Sequence, residues 1–205
     1  MKLVGNIHNA FVYNRRIQVL VDSICDLLPK NASVLDVGCG DGNIDRLIMD
    51  KRPDVKIEGI DILKRPHTLI PVTSFNGEHI PFNDSQFDVV MFVDVIHHAA
   101  NQLVLLEEAK RVSRQFILIK DHTKNGPLAF STLKFMDWVG NRHHGVVLPY
   151  KYWSYDEWMS VFKNLSLEIK SWNKQLKLYP APASWLFDRS LHFISLLEKN
   201  RVSRL

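Results

Sequence analysis

The segment Ser33-Val34-Leu35-Asp36-Val37-Gly38-Cys39-Gly40-Asp41-Gly42-Asn43 decides the fold of this chain. Three apolar residues surround one acid and lead into glycines at alternate positions, and residues 43–49 then have helical spacing. The pattern predicts a strand, a tight turn and a helix. Glycine permits a positive φ and the close approach of a ligand, and a helix N-terminus offers unpaired N–H groups. The turn is a candidate cofactor site, with a simple chain reversal as the alternative.

A second predicted strand, residues 55–61, ends in Asp61. This acid follows the last glycine of the turn by about 20 residues, the separation at which a carboxylate meets ribose hydroxyls in dinucleotide-binding βαβ units. A glycine turn and an acid at this spacing arise together by chance less readily than either alone. The pair therefore favours a site for a ribose-containing cofactor.

These residues resemble the class I S-adenosylmethionine-dependent methyltransferases. Residues 34–42 resemble the first motif of that family, Gly59-Ile60-Asp61 resembles its ribose-binding strand end, and residues 76–82 followed by 87–90 resemble its next two elements. The resemblance covers about residues 30–122. The rival interpretation, a nicotinamide-binding Rossmann domain, requires G-x-G-x-x-G, whereas the third glycine here comes one residue early. A methyl donor is therefore favoured over a hydride carrier.

The resemblance, to the methyltransferase type 11-like branch, implies an α/β fold: a three-layer αβα Rossmann-like sandwich. Its sheet is mostly parallel and seven-stranded, with an antiparallel C-terminal edge. Residues 1–205 are expected to form a single methyltransferase domain. The predicted elements are a helix at about 12–28, strands at 69–75, 87–95, 115–120, 165–172 and 191–197, a helix at 103–112, and a helix opened by the capping box Ser154-Tyr155-Asp156-Glu157.

The same resemblance implies S-adenosyl-L-methionine as the cofactor. Its predicted binding residues are Asp36, Gly38, Gly40, Asp41, Gly42, Asp61, Ile62, Asn76, Gly77, Glu78 and Val93. The family usually has Asp where this chain has Asn76; the amide oxygen can accept from the adenine amine, and an ordinary Asn-Gly turn is the alternative. In the family an N-terminal helix often covers the cofactor, so Tyr13, Arg15 and Arg16 are candidates for binding the methionyl carboxylate, or else exposed solubilising residues.

Polar side chains follow the fourth and fifth predicted strands, and ligands of such sheets bind outside the carboxyl ends of the strands. A hydroxyl acceptor must lose a proton, and histidine is the usual base. The predicted catalytic residues are His98, His122 and Asp94, with Asp94 or Asp121 as the orienting carboxylate. His97 fits packing or capping better.

Adjacent histidines do not share a helix face, and the sequence has no Cys or His-x-x-x-His ligand set that would support a metal site. We therefore expect no required metal. The adjacent pair His143 and His144 fits a solvated surface better than substrate binding.

Residues 126–155 are rich in aromatic side chains and form the predicted acceptor cover. Aromatic faces bury a flat or apolar molecule, so we expect O- or C-methylation of a small, partly apolar acceptor, aromatic or lipid-like. The run Asp94-Val95-Ile96-His97 lacks the prolines of base-amine methyltransferases, and Asp94 with Lys120 gives only part of the RNA ribose methyltransferase tetrad. The alternatives are an RNA methyltransferase and a non-catalytic S-adenosylmethionine-binding module.

Composition bounds the partners and the compartment. The 205 residues carry a formal net charge of +4 and a pI near 9.0, but the basic residues are scattered, so nucleic-acid binding is not favoured. No apolar run reaches membrane-helix length, and only Cys25 and Cys39 are present, so we expect a reduced, cytoplasmic protein without a transmembrane segment. The apolar loop at 178–187 suggests a lid, a homodimer contact or a lipid-facing surface.

Overall fold

The computed structural model describes residues 2–63, 65–141 and 148–200, with side chains from Tyr13 onward except that of residue 141. Residues Ile96–His98 form a short 3-10 helix. The elements are α1 (Lys2–Leu27), β1 (Ser33–Val37), α2 (Asn43–Lys51), β2 (Lys56–Asp61), β3 (Val72–Ser74), β4 (Phe87–Val93), α3 (Gln102–Val112), β5 (Ser113–His122), α4 (Ala129–Asn141), α5 (Tyr155–Asn164), β6 (Leu167–Asn173), α6 (Ser184–Phe187) and β7 (His192–Lys199). Within these ranges, none of the helices combines the length and the apolar character needed to cross a membrane.

The strands form one sheet in the order β3-β2-β1-β4-β5-β7-β6. Strands β1 to β5 pair in parallel, and β7 runs antiparallel between β5 and β6. The strand order reverses between β1 and β4, the place where open α/β sheets bind their ligands. The predicted α/β sandwich with an antiparallel C-terminal edge is confirmed.

Helices cover both faces of the sheet because the central strands are apolar on both sides. Val34 packs with α1 and α2 through Ile24 and Ile48, whereas its neighbour Leu35 packs on the opposite face with residues of α3 and α5 such as Trp158. All of these side chains are almost completely buried. Because β1 to β5 run parallel, their carboxyl ends lie at a common edge, which carries polar residues.

The turn between β1 and α2 depends on two glycines for different reasons. Gly40 has a φ of 62°, and a Cβ built on it would meet nothing within 4 Å, so its main chain faces open space. Gly59 on β2 lies directly beneath the turn, and a Cβ there would be 2.3 Å from Cys39 Sγ. Any side chain at residue 59 would therefore push the turn off the sheet. Both cysteines, Cys25 and Cys39, are free thiols.

The structure departs from the predicted elements in four places. Helix α1 begins at Lys2 rather than near residue 12, and β5 continues through Asp121 and His122. The predicted cover contains a helix, α4, and the apolar loop at 178–187 contains the short helix α6. In the helices the sequence has apolar residues without a clear period, whereas Asp121 and His122 join β5 because they pair with Phe193 and His192 of β7. The capping box at Ser154 and Glu157 is confirmed.

Two acids are buried together under the glycine turn. Asp36 of β1 and Asp45 of α2 are 4% and 0% exposed. Burial, together with the repulsion between them, raises the pKa of Asp36 well above its ordinary value, and burial raises the pKa of Asp45 to about 7. Both shifts favour the protonated, uncharged form of these buried carboxyl groups in the folded chain.

We expect this protonation to be visible in the pH dependence of stability. A carboxyl whose pKa is raised on folding contributes stability that is complete below its unfolded pKa near 4 and is lost as pH rises toward about 7. Asp45→Asn puts a neutral amide in place of a buried carboxyl that ionises above pH 7, so its melting temperature should exceed that of the wild type by about 2–6 °C at pH 8. Differential scanning calorimetry at several pH values measures this, with exposed Asp50→Asn as the control. If the melting temperatures of Asp45→Asn and the wild type changed equally with pH, the raised pKa of Asp45 would be contradicted.

Candidate active site

A cavity of about 360 Å³ lies at the carboxyl edge of the sheet, beside the strand-order reversal. Its volume falls in the range of small-molecule and cofactor sites. It runs from the glycine turn to the ends of β4 and β5 and is covered by α1 and α4. The lining residues are Tyr13, Arg16, Ile17, Leu20, Gly38, Gly40, Ile44, Asp61, Ile62, Leu63, Arg65, Val93, Asp94, Val95, His97, His98, His122, Met136, Asp137, Gly140 and Tyr179.

One end of the cavity fits an adenosyl cofactor. The Asp61 carboxylate accepts hydrogen bonds from the main-chain N–H groups of Gly40 and Leu63, each at 2.8 Å, and lines the cavity. These bonds fix the acid beside the open main chain of Gly40, where a ligand can approach closely. A carboxylate next to an exposed glycine turn matches the needs of a ribose, which offers two hydroxyl donors. Gly38, Ile62 and Val93 also line this end, as predicted.

The other predicted cofactor residues lie outside the cavity wall: Asp36, Asp41, Gly42, Asn76, Gly77 and Glu78. Asn76 Oδ1 accepts from the N–H groups of Glu78 and His79 at 3.0 and 2.8 Å. Its oxygen is thus engaged in a turn, and the amide NH₂ is the group left for adenine. A Cβ on Gly77 would be 3.3 Å from Ile62, which places this turn at the rim. Binding by these residues stays a prediction.

A buried ion cluster forms the floor of the cavity. Asp94 accepts from Lys120 Nζ and from Arg16 of α1. Lys120 is completely buried, and burial lowers its pKa, although Asp94 opposes this. Burial disfavours ionisation of Asp94, but Lys120 and Arg16 outweigh it and hold the pKa of Asp94 well below its ordinary value. Asp94 is therefore a paired carboxylate and no candidate for a base, so its predicted catalytic role is limited to organising its neighbours.

Histidines surround a second buried acid, Asp121. Its Oδ1 lies 2.6 Å from His97 Nδ1 and 3.3 Å from His122 Nδ1. Burial opposes a proton on His97, yet Asp121 and Asp137 raise its pKa to about 10. Burial lowers the pKa of His122, and burial with His97 lowers that of His98 to about 4. The predicted residues His98 and His122 both line the cavity, together with His97.

The predicted cover lies over the cavity, but with different side chains. Helix α4 turns Met136, Asp137 and Gly140 toward the cavity, since these residues lie on one helical face. The expectation that the aromatic residues of this segment face the acceptor is wrong for Phe135 and Trp138, which are 53% and 47% exposed. The aromatic residues on the cavity wall are Tyr13 and Tyr179, which come from outside the predicted cover.

Asp137 and Tyr152 are functional candidates that the sequence reasoning missed. The Tyr152 hydroxyl donates to Asp137, and both residues are buried. An acid inside an otherwise apolar helical segment, between Met136 and Trp138, was the available signal. The pair His143 and His144 lies outside the described residues.

A family model described as "Methyltransferase domain" matches residues 8–174. This chain therefore belongs to the methyltransferase-domain family, and it is an S-adenosylmethionine-dependent methyltransferase domain with S-adenosylmethionine as its cofactor.

Two curated relatives are named for different methyl acceptors. The chain is 28% identical over 102 residues to the tRNA (carboxymethyluridine(34)-5-O)-methyltransferase of Schizosaccharomyces pombe, covering 48% of this chain and 43% of that protein. It is 26% identical over 110 residues to the 27-O-demethylrifamycin SV methyltransferase of Amycolatopsis mediterranei, covering 46% and 40%. The chain thus spans less than half the length of these relatives.

Solved structures share the fold. One belongs to the complex between the Trm112 methyltransferase activator of Haloferax volcanii and a methyltransferase. It is 15% identical in sequence and has a TM-score of 0.66, and the alignment covers 95% of this chain and 98% of that chain. Another is an S-adenosylmethionine-dependent methyltransferase of Thermotoga maritima, with 16% identity, coverage of 97% of both chains and a TM-score of 0.65. At these identities the likeness extends to the fold alone.

We expect Asp61→Asn to weaken S-adenosylmethionine binding by about 10–100-fold, because hydrogen bonds to a charged partner contribute about 1.5–3 kcal/mol. The amide oxygen preserves one acceptor for the loop, so the fold should remain. Isothermal titration calorimetry measures the affinity, and Asp26→Asn on the exposed face of α1 is the matched control. Unchanged affinity in Asp61→Asn would remove Asp61 from the cofactor site.

The buried ion cluster leads to a prediction about stability. Lys120→Met leaves the Asp94 charge with Arg16 alone and should destabilise the fold by about 3–5 kcal/mol, because a buried charge then lacks its partner. The double variant Asp94→Asn/Lys120→Met removes both charges and should regain much of this loss. Urea unfolding measures each free energy, with Lys124→Met at the partly exposed Lys124–Glu157 pair as the control. An equal loss in the single and the double variants would show that the pair does not act as a unit.

Proposed function

We propose that this chain, acting as a single domain over residues 1–205, transfers a methyl group to a hydroxyl oxygen of a small, partly apolar acceptor. When bound, S-adenosylmethionine supplies a methyl group on a positively charged sulfur, which is open to in-line displacement. The observation that carries the proposal is a single cavity that joins Gly40 and Asp61 to His98 and His122. Donor and acceptor can therefore meet within one cavity.

The donor half positions the cofactor through three groups. Asp61 is held by the main chain of the turn and accepts from the ribose hydroxyls. The open main chain at Gly40 lets the cofactor lie on the turn. Arg16 lines the cavity beside Asp94, and its guanidinium has donors enough to serve Asp94 and the methionyl carboxylate together. Orientation of this kind accounts for much of the catalysis of a displacement that needs no covalent help.

The acceptor half supplies a base. The Nδ1 atom of His122 faces Asp121 at 3.3 Å and Asp94 at 3.6 Å, and a proton on this nitrogen leaves a lone pair on Nε2. His122 Nε2 would take the proton of the acceptor hydroxyl, and the bound S-adenosylmethionine would supply the methyl group and leave as the neutral thioether. Asp121 orients the ring and stabilises the charge that it gains. This is the arrangement of a general base with an orienting carboxylate.

The nature of the acceptor follows from the wall around His122. Met136 and Tyr179 give it apolar surface, while His98 and Asp137 give it polar partners. Helix α4 lies over this part of the cavity and excludes water from the reacting atoms. A small molecule with a hydroxyl on an apolar body fits such a wall, as in the relative named for a rifamycin derivative. The relative named for tRNA makes RNA the main alternative acceptor.

We expect His122→Gln to lower the rate of methyl transfer by about 10²–10⁴-fold, the usual contribution of a general base. S-adenosylmethionine affinity should stay within about threefold of the wild type, because Asp61 and Gly40 are unchanged. The assay follows labelled methyl groups into hydroxylated aromatic and lipid-like acceptors, with exposed His67→Gln as the control.

Three results of the same assay would contradict the proposal. Label that enters RNA alone, with binding that weakens steeply with salt, would establish an RNA methyltransferase. Full activity of His122→Gln would exclude His122 as the base. Cofactor binding without transfer to any acceptor class, RNA included, would favour a non-catalytic module.

A further inference from the structure

Three side chains on the cavity wall are arranged as the ligands of one ion. His97 and His98 come from the 3-10 helix after β4, and Asp137 comes from α4. One ligand atom from each residue lies within 4.8 Å of the others. We propose that His97, His98 and Asp137 form a divalent transition-metal site, with Zn²⁺ as the preferred ion, that opens into the cavity.

The distance between His97 Nε2 and Asp137 Oδ1 is compatible with a metal ion bound by both atoms as well as with their direct ion pair. His97 Nε2 lies 3.4 Å from Asp137 Oδ1, beyond the 2.7–3.2 Å range of N–H···O bonds. Two ligands that are each about 2.0–2.1 Å from a tetrahedral ion lie about 3.3–3.4 Å apart. The observed separation therefore equals the edge of a tetrahedral coordination sphere.

The histidines also present nitrogen atoms that lack other partners. Among the described residues, His98 Nδ1 is buried and forms no hydrogen bond, and the partner of the buried His97 Nε2 is Asp137 Oδ1, in an ion pair at 3.4 Å. Buried polar atoms normally have partners, and an ion is one explanation where they do not. The two rings lie side by side, with centroids 4.0 Å apart. Both can therefore direct a nitrogen toward the same point near Asp137.

Neighbouring groups hold the ligands in orientation. His97 Nδ1 lies 2.6 Å from Asp121 Oδ1, which holds a proton on Nδ1. In the metal-free chain Asp121 and Asp137 raise the pKa of His97 to about 10, so Nε2 is protonated as well, and an ion that binds there displaces this second proton. The Tyr152 hydroxyl donates to Asp137 Oδ2 and fixes that carboxylate. Metal-binding histidines characteristically donate their second nitrogen to a carboxylate, and metal-binding carboxylates are likewise hydrogen-bonded.

A second group of potential ligands, His97, Asp121 and His122, has a different geometry. Its His97–Asp121 separation of 2.6 Å is that of a hydrogen bond with a proton between the two atoms. No ion fits between atoms at that distance. The metal site is therefore assigned to the side of His97 that faces Asp137.

The ligand set of two imidazoles and one carboxylate suits Zn²⁺ and similar ions rather than Mg²⁺, which prefers oxygen. Three protein ligands leave a fourth position, as in catalytic zinc sites. If the proposed function holds, the acceptor oxygen takes that position and loses its proton more readily, while the atoms and electrons of the transfer stay as described above. The proposed site differs from the expectation of no required metal, because its ligands come from two elements that are distant in the sequence.

Metal binding can be tested without any acceptor. The untagged full chain, freed of metal by chelator, is titrated with Co²⁺ while visible absorption is recorded, and then with Zn²⁺ in competition. We expect one equivalent of ion, a tetrahedral Co²⁺ spectrum, and no binding of Mg²⁺ under the same conditions. His98→Ala should weaken the affinity by at least about 100-fold, and Tyr152→Phe by about 10–100-fold.

Controls separate this site from other histidines. His79→Ala removes an exposed histidine that pairs with Glu108 away from the cavity and should bind the ion as the wild type does. Circular dichroism establishes that each variant is folded, and Asp137→Asn replaces His98→Ala should that variant fail to fold. Wild-type affinity in folded His98→Ala or Asp137→Asn would overturn the proposal. Loss of binding only in the double variant His143→Ala/His144→Ala would overturn it as well.

Discussion

The buried ion pair between Asp94 and Lys120 is the interaction on which the site depends. A completely buried ammonium group is tolerated only beside a carboxylate, so the ends of β4 and β5 must stay in register. Arg16 adds the third charge and ties α1 to the same point. The floor of the cavity, its covering helix and the strand ends that carry the histidines are thereby fixed by one cluster of charges.

The topology of the sheet determines the position of this charge cluster. Parallel strands bring their carboxyl ends to a common edge, and the reversal of strand order between β1 and β4 opens a crevice there. Asp61 belongs to one side of that crevice and His122 to the other. Donor and acceptor groups meet because of this topology, although they lie far apart in the sequence.

The parts of the molecule that local patterns encode were predictable. The glycine turn, the acid at the end of β2 and the capping box at Ser154 each need only a few neighbouring residues, and all three are observed. Helix α4 was not predicted, because it has apolar residues on the cavity face and on the exposed face, so its period is hidden.

Contacts between residues that are distant in the sequence could not be predicted from it, for a related reason. The pairing of Asp36 with Asp45, and of Asp137 with Tyr152 and His97, depends on how separate elements pack. A buried acid is recognisable in the sequence only as an exception to an apolar pattern. The ion pair between Asp94 and Arg16 likewise depends on the packing of α1 against the end of β4.

The central claim is that one cavity holds the cofactor at Asp61 and leaves space for the acceptor at His122. A crystal structure of the chain with S-adenosylhomocysteine tests this most directly. The account predicts ribose hydroxyls on the Asp61 carboxylate, the methionyl carboxylate near Arg16, and the sulfur facing the space beside His98 and His122. A ligand bound outside this cavity, or one whose sulfur faces away from the histidines, would contradict it.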